Sequence, residues 1–292
     1  MHDFRVQYNI KDDRKYLFLP TLPNIVFNTE MNSSLVLKYL NYHLFSRHGK
    51  GHGIHSPFIF SIVSGVFRNK IDPDIVLTIE RIRKKNLSDT RIINIQDLGA
   101  GSSRMKKNIR SVSDIARYSS VPCKYGILLA RMASEFGKPA IVEFGTSLGI
   151  STMYLASGNP ESVIYTMEGC KETARIAMDN FNDAGLRNIK LLTGSFDSLL
   201  PEIENLKVKP GLVFIDGNHR EEPLMRYFST MSDISGPETV IIIDDIHTSE
   251  EMESAWSRIR QHENVSVTID IFRMGLVFFR KGISHIDYII RY

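Results

Sequence analysis

A glycine-punctuated turn, Glu143-Phe144-Gly145-Thr146-Ser147-Leu148-Gly149-Ile150-Ser151, directly follows an apolar run. Glycine at 145 and 149 lets the backbone pass tightly from a strand into a helix and approach a ligand closely. Ser147 stands where a dinucleotide binder often carries a middle glycine. Glu168 ends a second apolar run about 25 residues after Glu143, near the ~20-residue offset at which an acid meets ribose hydroxyls. The same residues also read as a plain strand–helix corner and an exposed acid at a strand end. Two later apolar runs close on acids: LVFID on Asp216, and VIIIDD on Asp244 and Asp245. His219 and His247 follow these ends within three residues. A neutral imidazole near pH 7 is a natural general base toward a hydroxyl or an amine. Either histidine is equally suited to anchoring a loop through hydrogen bonds.

The elements that must position these groups fall into two rhythms. From about 33 to 136 the period is helical, with one apolar stripe at Leu35, Leu37, Leu40, Leu44 and Phe45 and another at Phe58, Ile59, Ile62, Val63 and Val66. Asp72-Pro73 reads as a helix start whose buried face is Ile75, Val76, Ile79 and Ile82. A last helix, CKYGILLARMASEFG, stops at Gly137. After Pro139, five short β-branched runs (AIVEFG, VIYTMEG, IKLLTG, LVFIDG and VIIIDD) alternate with helical segments. That alternation predicts right-handed βαβ crossovers in a parallel sheet buried on both faces. VSVTIDIF and LVFFRK around Arg-Met-Gly predict a terminal hairpin that adds an antiparallel edge. The expected fold is α/β: a Rossmann-like, doubly wound, mostly parallel sheet with a C-terminal antiparallel hairpin and a helical N-terminal region. The expected division is a 1–30 extension that need not be ordered, a 31–118 helical region with lid or substrate elements, and a 119–292 nucleotide-binding domain.

At 292 residues, with 42% hydrophobic and 24% charged content, the chain has ordinary globular composition. A net charge of +3 is small beside 36 basic and 33 acidic residues and gives no argument for a nucleic-acid partner. Two cysteines, Cys123 and Cys170, form no disulfide framework or zinc set. With no apolar run of membrane-spanning length and no signal peptide, a cytoplasmic location is expected and a membrane partner is not.

Taken in order, these elements resemble the class I S-adenosylmethionine-dependent methyltransferases. The resemblance covers roughly 120–292 and is greatest to the catechol and caffeoyl-CoA O-methyltransferase family. VEFGTSLGIST is similar to that family's first motif. This implies S-adenosylmethionine as cofactor, with Glu143, Gly145, Thr146, Ser147, Gly149 and Ser151 near its amino-acid end and Glu168 and Gly169 at its ribose. The stretch 192–201 resembles the adenine-contacting turn, implicating Ser195, Phe196 and Asp197, while Asp216 closes the same pocket. In metal-dependent members, groups at the positions of Asp216, Asp244 and Asp245 hold one divalent ion, and three carboxylates suit a hard cation such as Mg²⁺. Asp245 departs from the asparagine of the catechol enzymes. His219 stands where those enzymes carry a catalytic lysine, so the resemblance implies Asp216, His219 and His247 as catalytic candidates. RHGKGHGIHSPF together with DLGAGS resembles an uncharacterised bacterial subgroup of the class, and the family admits a homodimer through the helical region.

Other features are weaker. Asp97-Leu98-Gly99-Ala100-Gly101-Ser102 rivals the cradle as a cofactor turn, but no strand ending in an acid follows it, so a rim loop is expected there. His48, His52 and His55 form a basic loop that is either a plain connector or a hinged edge over the site. The basic clusters at 81–85 and at Lys106-Lys107 lack aromatic interleaving and read as solvated faces. Trp256, with Met252 and Ile259 at helical spacing, reads as core. The leading expectation is methylation of an oxygen on a small molecule. Methylation of RNA or a protein side chain, and a non-catalytic cofactor-binding module, are the alternatives.

Overall fold

Helices come first in the chain, as the periodicity requires. The structure, a computed structural model, describes residues 33–46, 54, 56–95, 109–206 and 209–292. The 1–30 extension, the histidines at 48, 52 and 55, the 97–102 turn and Lys106-Lys107 lie outside the described residues. Helix α1 spans Ser33–Phe45, α2 Pro57–Ser64 and α3 Pro73–Leu87, with a 3₁₀ turn at Val66–Arg68. Ser56 caps α2 ahead of Pro57, and Asp72 caps α3 ahead of Pro73. These are the sites where proline's missing N–H costs nothing.

Of the apolar stripe on α1, Leu37, Leu40 and Leu44 face outward, with Leu37 62% and Leu44 77% exposed. The helix docks through its aromatic and basic face. Tyr39 and Tyr42 meet the Phe272 ring, the Tyr42 hydroxyl donates to the carbonyl of Ile290, and Lys38 pairs with Glu253. Periodicity identified a helix but not the side it turns inward.

Strands β1 (Ile92–Asn94) and β2 (Ile109–Ser111) pair antiparallel as a separate ribbon outside the main sheet. Helices α4 (Val112–Ser119) and α5 (Cys123–Phe136) then lead into β3 (Ala140–Phe144). The alternating part continues with α6 (Ile150–Gly158), β4 (Val163–Glu168), α7 (Lys171–Asp183), β5 (Ile189–Thr193), α8 (Phe196–Glu204), β6 (Leu212–Ile215), α9 (Glu221–Ile234), β7 (Val240–Asp244) and α10 (Glu250–Arg260). The five expected parallel strands are all present. Ser249 caps α10 by accepting from the Met252 N–H.

The hairpin β8 (Val267–Asp270) and β9 (Met274–Phe278) follows, then β10 (Ile286–Ile289). The sheet order is β10-β8-β9-β7-β6-β3-β4-β5. Two details correct the sequence reading. The hairpin inserts β9 antiparallel against β7, but it is not the edge. The edge on this side is β10, which pairs parallel to β8 and whose short IDYI segment is mostly exposed.

Strand order reverses beside β3, which is flanked by β4 and β6. In open α/β sheets the ligand crevice lies beyond the strand ends at such a switch point. The helices α2, α3, α5 and α6 share one apolar core with that face of the sheet, through Ile62, Ile79, Leu128 and Tyr154. The α3–α6 contact has a polar link as well: Tyr154 donates to Glu80, Glu80 holds Arg83, and Arg83 donates to the Val121 carbonyl. Gly126 makes room for the Tyr154 ring, which would lie 2.3 Å from an added Cβ. Val121, at the start of α5, is thereby fixed beside the mouth of the sheet. Among the described residues no helix is long and apolar enough to cross a membrane.

Candidate active site

The cradle follows β3. Gly145 and Gly149 have φ of 99° and 81°, and Ser147 joins them at 49°. Left-handed backbone at Gly145 is combined with a close approach, since an added Cβ would lie 2.0 Å from the Asp216 carbonyl oxygen. Only glycine meets both demands. The Asp216 N–H donates to the Phe144 carbonyl at 2.9 Å, which ties the end of β6 to the end of β3. A cleft opens here between Gly145, Thr146, Ser147 and Ser151 on one side and Asp216 on the other, closed by the α4–α5 link at Ser119 and Ser120.

Glu143 is fully buried in β3. Its Oε2 accepts from Thr152 at 2.5 Å and Thr166 at 2.6 Å, while Oε1 has no hydrogen-bond partner. Burial pushes this carboxyl above its ordinary range, against the pull of the surrounding hydroxyls. The neighbouring Thr146 hydroxyl meets that of Thr166 at 2.6 Å. Glu168, at the end of β4, accepts the Ser147 N–H on Oε2 at 2.7 Å. Its Oε1 accepts the Cys170 N–H and the Thr173 hydroxyl, so Gly169 sits in a short turn braced by this carboxylate. A carboxylate offers about four lone-pair sites, so the spare capacity of Glu168 lies on Oε2, facing the cradle.

At the third strand end, Ser195 caps α8 by accepting from the Ser198 N–H. Phe196 packs edge-on against Phe144 and Tyr227, and Gly217 leaves it room. Asp197 is paired with Arg226 at 2.9 Å on the surface. An adenine contact by Asp197 would have to share or break that pair.

The acceptor side is built from charge. Asp216 retains 17% side-chain exposure, and His219 Nε2 lies 3.7 Å from its Oδ1. Burial, then the charges of Asp244 and Asp245, push the Asp216 carboxyl well above the carboxylate range. Asp244 is completely buried and is gripped bidentately by Arg273, with Nε at 3.0 Å from Oδ1 and Nη2 at 2.7 Å from Oδ2. The same guanidinium lies 3.6 Å from Asp245, whose backbone is left-handed at φ 57°. Burial opposes the charge on Arg273, yet Asp244, Asp245 and Asp216 more than offset it and raise its pKa. Tyr125, whose hydroxyl burial pushes up to about 12, places its ring 5.7 Å from the guanidinium carbon, a cation–π distance.

Two expectations change here. The divalent-ion site at Asp216, Asp244 and Asp245 does not fit, because the Arg273 cation already lies against both oxygens of Asp244 and beside Asp245. Among the described residues no three acidic, histidine or cysteine side chains converge to hold a metal. His247 is not placed as a base. Its Nδ1 meets Glu253 at 3.1 Å and its Nε2 meets Asp270 at 2.8 Å, so neither nitrogen is left to accept a substrate proton. Burial opposes the imidazolium, but the two carboxylates outweigh burial and raise its pKa. Sequence reasoning also missed Arg273 and the Ser119–Ser120 wall. Neither has a fixed spacing from the cradle, and Arg273 reads as an ordinary polar residue in a hairpin turn.

Comparison with known proteins matches these features. Residues 142–246 match the family model of a methyltransferase domain. The chain is 28% identical over 157 residues to the O-methyltransferase imqG of Aspergillus flavus, an alignment covering 52% of this chain and 59% of that protein. It is 33% identical over 101 residues to a candidate O-methyltransferase of Mycolicibacterium smegmatis, covering 34% of this chain and 47% of that protein. The chain thus spans between about half and three-fifths of the length of these relatives. Among solved structures, the O-methyltransferase of Bacillus cereus in complex with S-adenosylhomocysteine superposes with a TM-score of 0.50 at 22% identity, over 75% of this chain and 96% of that one. The S-adenosylhomocysteine-bound methyltransferase PaMTH1 of Podospora anserina superposes with a TM-score of 0.53 at 13% identity, over 89% and 100%. Residues 142–246 thus match a methyltransferase-domain model, and the chain shares the fold of solved O-methyltransferases such as the S-adenosylhomocysteine-bound enzyme of Bacillus cereus.

Proposed function

We propose that this chain transfers the methyl group of S-adenosylmethionine to an oxygen of a small-molecule acceptor, with His219 as the base. One observation carries the reading: the glycine cradle and Asp216 line the same cleft, joined by the hydrogen bond from Asp216 to Phe144, and His219 lies 3.7 Å from that carboxyl. The residues fit the cofactor. Glu143 Oε1 is a buried acceptor with no donor in hydrogen-bond geometry, which an ammonium group could supply in competition with the nearby Ser151 hydroxyl, and Glu168 Oε2 keeps capacity for a ribose hydroxyl. When bound, the cofactor supplies a methyl group already activated by its sulfonium, so the protein's contribution is alignment and exclusion of water.

His219 takes the acceptor's hydroxyl proton as the oxygen–methyl bond forms. Its side chain is 37% exposed, and its Nε2 lies 3.7 Å from Oδ1 of Asp216, close enough for that carboxyl to bias the ring. Asn218, left-handed at φ 54° and bonded to the Tyr227 hydroxyl at 3.3 Å, fixes the loop that carries it.

S-adenosylhomocysteine should raise the melting temperature, since a ligand that binds only the folded chain stabilises it; no shift at saturating ligand would overturn the reading. His219→Ala should keep that shift and lose methyl transfer by about 10²–10⁴-fold, the usual contribution of a positioned base. Unchanged turnover would remove His219 from the mechanism.

A further inference from the structure

The disagreement between the acidic strand ends and a metal site has a positive content. We propose that Arg273 is a resident cation standing where such a carboxylate cluster would otherwise take a divalent ion, so that this chain has no divalent-ion site and its methyl transfer is metal-independent. The second half rests on the methyltransferase reading above; the first does not.

Four observations carry it. The guanidinium satisfies both oxygens of Asp244 through Nε and Nη2. It lies against Asp245 as well. Tyr125 covers one face of it. The turn that delivers it is built for the purpose. Phe272, just before Arg273, is held at φ 71°, a conformation that a bulky residue keeps only when its surroundings over-determine it.

Those surroundings are on hand. Asp270 Oδ1 accepts the Phe272 N–H at 2.7 Å. Asp270 Oδ2 is taken by His247, and the Phe272 ring packs on Tyr39, Tyr42 and His247. The Arg273 carbonyl accepts the Ile246 N–H at 3.3 Å, closing the turn onto the Asp244–Asp245 corner. His247, unused as a base, is thus a positioning residue that acts through Asp270 on Arg273.

Arginine keeps its charge at any working pH and matches a carboxylate with a planar fork. A divalent ion could reach Asp244 only by displacing that fork and setting a second positive charge beside the guanidinium. Arg273 acts on the site through Asp244 and is not placed against the reacting atoms.

The test is Mn²⁺ binding followed by electron paramagnetic resonance, together with the methyl-transfer rate in excess EDTA. Wild-type protein should show no saturable Mn²⁺ site at millimolar metal, and EDTA should leave the rate within about twofold, where loss of a required metal ion would abolish it. Folded Arg273→Ala, with its carboxylates uncovered, should gain a Mn²⁺ site and a metal-dependent rise in melting temperature that Arg273→Lys lacks. A saturable wild-type site that Asp244→Asn removes would overturn the proposal, as would loss of the rate in EDTA with recovery in Mg²⁺. Folded Arg273→Ala without a gained site would overturn the substitution of arginine for the ion. If Arg273→Ala does not fold, the wild-type metal titration decides alone. That titration needs no turnover, so it stands even if the methyltransferase reading fails.

Discussion

Between β3 and α6 the site is shaped by backbone conformation, whereas beyond β6 and β7 it is held by ion pairs. In the cradle, three left-handed residues and a glycine pressed against Asp216 fix the path of the chain, and Glu168 accepts N–H groups from the loops it braces. On the other side, the strand ends reach across to partners far away in sequence: Asp244 to Arg273 over 29 residues and His247 to Asp270 over 23. The first construction depends on which residues can adopt a conformation. The second depends on which charges meet after the sheet is assembled.

Breaking the cradle should have the largest effect. Gly145→Val places a branched side chain on left-handed backbone with its Cβ 2.0 Å from the Asp216 carbonyl. Binding of S-adenosylhomocysteine by calorimetry should be lost, with overpacking costing about 1–3 kcal/mol or more in urea unfolding. Near-normal affinity would show that the turn has slack that its geometry denies. Glu168→Ala comes next. Affinity for S-adenosylhomocysteine should fall by about tenfold or more, as loss of hydrogen bonds to a charged group worth about 1.5–3 kcal/mol predicts. An unchanged affinity would leave Glu168 as a loop brace only.

The smallest effect tests the charged side through pH. His247 has its folded pKa raised. The stability it contributes is therefore full below the ordinary imidazole pKa of about 6.5 and is lost as pH rises through the folded value. His247→Gln should be less stable than wild type at about pH 6, with the gap narrowing by about pH 9. A gap of equal size at both would mean that His247 holds Asp270 and Glu253 by hydrogen bonds alone.

The same contrast explains what was legible in the sequence. Glycines at 145 and 149 announce their turn because few other residues tolerate it, and the β-branched runs announce buried strands. The parallel sheet and the cradle therefore followed from short windows. The α1 stripe misled because leucines at helical spacing say nothing of a competing aromatic face at Tyr39 and Tyr42, which is the one that docks. Strand β10 is only four residues long and mostly exposed, so its short IDYI segment did not stand out as a further strand. The metal expectation meets a competitor from a longer range, Arg273. Three acids at strand ends look the same whether an ion or an arginine from a distant hairpin meets them, and nothing local to Arg273 distinguishes it from a solvated turn residue.

The buried pair of Asp244 and Arg273 also constrains how the chain can change over generations. Losing Arg273 alone strands the fully buried Asp244 carboxylate, a penalty of about 3–5 kcal/mol, comparable with much of a small domain's margin of about 5–15 kcal/mol. The two positions are then epistatic, and one-step lineages between the arginine form and an ion-binding form pass through a poorly folding ancestor. Descendants of this chain should keep both residues or exchange both.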